Sequence, residues 1–106
     1  MITITVLKHQ GQYRGFRSQG HAGYAEDGYD IICAAVSVLT VNAVNSIDTF
    51  TEDVIVVRQE DGYLELTFEG TCSKEASLLL DSMVLGLKDI RESYGNNYLK
   101  IAAKEV

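Results

Sequence analysis

From Ile2 to His9 the chain reads ITITVLKH, with β-branched apolar side chains alternating with polar ones. A period of two sends successive side chains to opposite faces of an extended backbone, the pattern of a half-buried strand rather than of a signal peptide. Glycines at 11, 15, 20, 23 and 28 punctuate the stretch beyond His9. They leave room for a short second strand over Tyr13 to Ser18 and then a loop, read as mobile, over Gly20 to Tyr29. At Asp30 the pattern changes. A side chain suited to capping a first helical turn is followed by a run of apolar residues reaching about Asp48, which predicts a helix. Ile31, Ile32, Ala34, Ala35, Val36, Val38, Leu39, Val41, Ala43, Val44 and Ile47 make it apolar on most sides, so it calls for burial on more than one.

Two β-rich runs come next, DVIVVRQ (Asp53 to Gln59) and YLELTFEG (Tyr63 to Gly70), around a turn at Glu60-Asp61-Gly62; this reads as a hairpin. A second helix is predicted from Ser73 to Tyr94, stopped by Gly95, with Ala76, Leu80, Met83, Leu87, Ile90 and Tyr94 in one seam. Leu78, Leu79, Val84 and Leu85 broaden that seam. Tyr98 to Val106 is read as a last strand. The order strand, strand, helix, strand, strand, helix, strand implies an α/β (α+β) fold, a two-layer sandwich of a largely antiparallel sheet carrying two long helices. Both helices have more apolar surface than one small sheet covers, which predicts an isologous homodimer.

Composition changes this picture little. At 106 residues and 46% hydrophobic the chain has enough apolar material for one packed domain. No apolar run is read as membrane-spanning, and a cytoplasmic setting with reduced thiols is expected. Nine basic residues against 15 acidic ones leave a net charge of −6, which disfavours direct binding to nucleic acid and favours a basic partner.

The candidate chemistry lies where the loop meets the first helix. Cys33 falls in the first turn, where unpaired backbone N–H groups and the helix dipole favour a thiolate, the nucleophilic form of cysteine. His21 precedes it by 12 residues across a glycine-rich bend able to bring an imidazole back onto the sulfur. Asp30 and Ser37 share the helix face of Cys33. The plainer alternative is that Cys33 fills the core, His21 is solvated, Asp30 only caps the helix and Ser37 bonds back to a carbonyl of the preceding turn. Cys72 lies near a helix start without a histidine or glycine-rich bend, so it reads as packing, and His9 reads as exposed and unpartnered. Neither metal-ligand spacing nor a phosphate-binding glycine loop is present, so no cofactor is expected.

The block GHAGYAEDGYDIICAAVS (Gly20 to Ser37) resembles the signature of the ribosomal-processing cysteine protease (Prp) family. The resemblance implies a single cysteine protease domain over 1–106, a cysteine endopeptidase that removes the N-terminal extension of a basic large-subunit ribosomal protein precursor. It implies a dyad of His21 and Cys33, with Asp30 and Ser37 in support and Gly20, Gly23 and Gly28 shaping a loop that opens for the peptide and closes over it. It further implies a dimer, no membrane, and cleavage after paired aromatic residues. In that mechanism N–H groups of the first helical turn are expected to stabilise the oxyanion. The rival readings are a non-catalytic dimeric ribosome-associated binding module, marked by an unreactive Cys33, and a thiol redox protein, which lacks a C-x-x-C pair.

Overall fold

The computed structural model describes residues 1–26 and 30–106, and the elements follow the predicted order. They are β1 (Ile2–His9), β2 (Gln12–Gln19), α1 (Ile31–Phe50), β3 (Ile55–Glu60), β4 (Tyr63–Phe68), α2 (Lys74–Tyr94) and β5 (Leu99–Glu105). The strands form one sheet in the order β3-β4-β2-β1-β5. Pairing is antiparallel except between β1 and β5, so the sheet is mixed. The exception follows from α2: two strands running the same way need a crossover, and this helix supplies it between β4 and β5.

The two hairpins turn differently. Gln10 and Gly11 both take positive φ, 51° and 82°, as a type I′ turn requires. At the Asp61-Gly62 turn, where the sequence signal was stronger, only Gly62 does, at 68°.

Alternation along the strands puts Ile2, Ile4, Phe16, Leu66 and Leu99 on the helix side, where they form one core with Ile32 and Ile47 of α1 and Leu80 and Leu87 of α2. Thr3, Thr5, Arg17 and Glu65 stand between them along the same strands, only half-buried. The helices approach closely at Gly86, where an added Cβ would lie 2.9 Å from Leu39 Cδ1.

The apolar width of the helices exceeds what this packing covers. Val38 is 67% and Phe50 74% exposed on α1. On α2, Leu78 and Leu85 are exposed rather than part of the buried seam, whereas Leu79 and Val84 pack against the core. One sequence expectation needs correction: by length and composition α1 is long and apolar enough to cross a membrane. Here its Ile32–Val36–Ala43–Ile47 stripe is spent on the protein core.

Candidate active site

The segment between β2 and α1 is tied down at several points. Gly20, at φ 97°, donates its N–H to the Gly62 carbonyl at 2.9 Å and passes so near the Met1 carbonyl that a Cβ would collide with it. His21 comes next, exposed. Ala22 is buried, and its N–H donates to Cys33 Sγ at 3.2 Å. Gly23 takes a positive φ of 72°. The Tyr24 N–H donates to Asp30 Oδ2 at 3.0 Å, while the Tyr24 ring lies edge-on to Tyr98 and Tyr94, at 5.1 and 5.8 Å between centroids. Gly28 lies outside the described residues.

Asp30 is the N-cap of α1, as its residue type predicts, and it does more than cap. Oδ1 accepts from the Ile32 and Cys33 N–H groups at 3.0 Å each, while Oδ2 holds Tyr24. Desolvation pushes the Asp30 carboxyl up. The N–H groups of Cys33 and Tyr24, a hydrogen bond with the Cys33 side chain and the Ile32 N–H together outweigh it and hold the carboxyl below its ordinary value. Cys33 is half-buried against the core. Its sulfur thus meets opposed influences: the helix start and the Ala22 N–H favour an anion, whereas the Asp30 carboxylate favours a thiol that donates.

Some N–H groups of the first helical turn, where oxyanion donors are expected, are engaged by the helix start itself. The Ile32 and Cys33 N–H groups are committed to Asp30 Oδ1, and that of Ala34 to the Asp30 carbonyl at 3.1 Å. The Ala22 N–H, aimed at the sulfur from the loop, is a further donor beside Cys33 Sγ.

His21, Cys33, Ser37 and Gly20 line one cavity of about 240 Å³. Asp30 stands behind it, one hydrogen bond from Cys33. Ser37 is exposed on the wall, and the bond back to the preceding turn is made instead by Thr40, whose hydroxyl donates to the Val36 carbonyl at 2.9 Å. Glu60, Asp61 and Gly62 of the β3–β4 turn line the cavity beside His21. Sequence reasoning recognised that turn without connecting it to His21, because 41 residues of chain separate Gly62 from His21. A groove of mixed character, lined by Val44, Ile55 and Val57 together with Asn45 and Asp48, continues from the cavity, sharing Val41, Gln59 and Leu64 with it.

The other chemistry-bearing residues lie elsewhere. His9 is partnered, contrary to expectation: Nδ1 is 2.7 Å from the Val106 carbonyl and 3.6 Å from Glu105. Cys72 packs against the core as predicted, and burial together with the Asp53 and Asp81 charges pushes its thiol up to about 11. Among the described residues no group of three or more His, Cys, Asp or Glu side chains is placed to hold a metal.

The family described as cysteine protease Prp matches residues 1–99. The ribosomal processing cysteine protease Prp of Staphylococcus aureus is 31% identical over 100 residues, covering 92% of this chain and 94% of that protein. Its Bacillus subtilis counterpart is 30% identical over 104 residues, with coverage of 92% and 93%. A crystal structure of the S. aureus protease in complex with a covalently linked product peptide superposes with a TM-score of 0.92 at 30% identity, over 98% of this chain and 100% of that one.

Proposed function

The chain belongs to the cysteine protease Prp family, and from that premise we propose that it removes the N-terminal extension of a large-subunit ribosomal protein, with Cys33 as nucleophile and His21 as general base and acid. The observation that carries the assignment is the sharing of one cavity by His21 and Cys33, with a backbone N–H donating to the sulfur. His21 takes the thiol proton as Sγ attacks the scissile carbonyl carbon, forming a C–S bond. The carbonyl oxygen becomes an oxyanion beside the Ala22 N–H, which lies outside the helix cap. As the C–N bond breaks, the imidazolium returns its proton to the leaving amine; a water activated by His21 then cleaves the thioester. Asp30 positions the nucleophile by fixing the helix start and the loop together.

The substrate reading rests on the relatives and on the character of the site. Glu60 and Asp61 on the cavity wall, in a chain of net charge −6, suit a basic protein. Val41, Val44, Ile55 and Val57 of the adjoining groove suit aromatic residues before the cut. The same acidic balance argues against direct nucleic-acid binding, and a thiol nucleophile that must stay reduced belongs in the cytoplasm. Exposed Val38, Phe50, Leu78 and Leu85 support a homodimer.

The test is incubation with the extended ribosomal protein and measurement of intact mass. Wild type should release the extension, Cys33→Ala should release none, and His21→Ala should be slower by about 10²–10⁴-fold. Undiminished turnover by Cys33→Ala would overturn the assignment.

A further inference from the structure

Gly62 meets His21 in two ways. A Cβ built on Gly62 would lie 2.9 Å from His21 Nε2 and 3.4 Å from Cε1, so the Nε2 edge of the ring rests against the bare turn. The Gly62 carbonyl also accepts the Gly20 N–H at 2.9 Å, pinning the backbone one residue before the histidine. This bond extends the β2–β4 ladder, whose last pair is Gln19 with Tyr63, by one step. The ladder therefore delivers His21 to the turn, and the absence of a side chain at 62 lets the ring settle there.

We infer that Gly62 is a positioning residue for the reaction: the β3–β4 turn seats the His21 imidazole at the cavity it shares with Cys33. The inference rests on the dyad reading above. An exposed histidine in a loop has several rotamers open to it, and only some present a nitrogen to the sulfur. A flat backbone surface on one side and a hydrogen-bonded backbone behind restrict that choice before substrate arrives. Any Cβ at 62 takes up space the ring occupies, so the ring must move.

Gly11 is the matched control. It has a similar positive φ, 82° against 68° at Gly62, but a Cβ there meets nothing within 4 Å. Gly11→Ala thus carries the backbone strain of a left-handed alanine without a contact to the site. Gly62→Ala carries the strain and the collision. Gly62→Asn keeps the collision with less strain, since asparagine tolerates this conformation, and it serves if the alanine variant does not fold. Two readouts are needed: steady-state cleavage of a peptide spanning the processing site, and the NMR titration of the imidazole Hε1 protons. The chain has two histidines, so His9 is an internal reference.

The expected result is a kcat lower by about 10²-fold in the Gly62 variants, the scale of a misplaced catalytic group. KM should change little, and the His21 resonance should shift while that of His9 stays. Gly11→Ala should match wild type in both. Wild-type kcat, an unmoved His21 resonance, or a rise in KM alone would overturn the inference, the last because it marks a blocked cavity. His21→Ala and Cys33→Ala are run beside them. If either cleaves normally, the dyad reading itself fails; if both are dead while Gly62→Ala is unimpaired, only the positioning role falls.

Discussion

Cys33 and Cys72 both lie near helix starts, yet their surroundings set them apart. Cys72 donates to the Ser73 carbonyl at 3.4 Å, and burial with two nearby carboxylates pushes its thiol from 9.0 to about 11. Cys33 lines an open cavity with a histidine. Iodoacetamide labelling at neutral pH, followed by peptide mass, should therefore modify Cys33 well before Cys72, because only thiolate reacts. Labelling of Cys72 should become appreciable only as pH approaches 11. Equal rates at neutral pH would remove the chemical distinction between the two. The raised folded value also has a stability consequence. The Cys72 contribution is complete below its ordinary value of 9.0 and is lost as pH rises through about 11, because the unfolded chain ionises first.

At the scale of the element, the start of α1 and the loop before it share one carboxylate. Asp30→Ala removes acceptors from Ile32, Cys33 and Tyr24 together, so it should cost more than a cap alone. A cap is worth about 1 kcal/mol, and a loss of at least that size is expected in urea unfolding. The pH dependence has a definite sign. Because the folded carboxyl lies below its ordinary value of 3.8, its contribution is full above that value and is lost as pH falls through the folded one. The stability difference between wild type and Asp30→Ala should thus narrow in acid. A gap independent of pH would mean that the carboxylate charge plays no part.

For the whole molecule, the large exposed apolar side chains among the described residues lie mainly on α1, α2 and the edge strand β3. If a second copy covers part of that surface, light scattering at micromolar concentration should give about twice the chain mass of 11.7 kDa. Val38→Lys and Leu85→Lys alter side chains 67% and 64% exposed in the single chain, so neither disturbs the core. A return to the single-chain mass in either would locate the interface. A wild-type mass of 11.7 kDa would overturn the dimer.

Much of this protein is local in origin and so was legible along the chain. The period-two run of β1, the Asp30 cap, the Gly95 stop and the order of the elements depend on side chains within a turn or two of one another. The sharing of one cavity by His21 and Cys33 was in reach too, since 12 residues and a bend separate them and the resemblance of the block around them singles them out. What the sequence left undetermined depends on contacts made across the fold. The parallel seating of β5 follows from where α2 deposits the chain, and a strand pattern carries no direction of pairing. The exposure of Leu78 and Leu85 depends on which part of a broad apolar face meets the sheet. The arrival of Gly62 beside His21 comes from the β2–β4 ladder, which joins residues far apart in the chain. Local patterning thus specifies which elements form and where they begin, whereas packing decides which faces meet and which groups remain free to react.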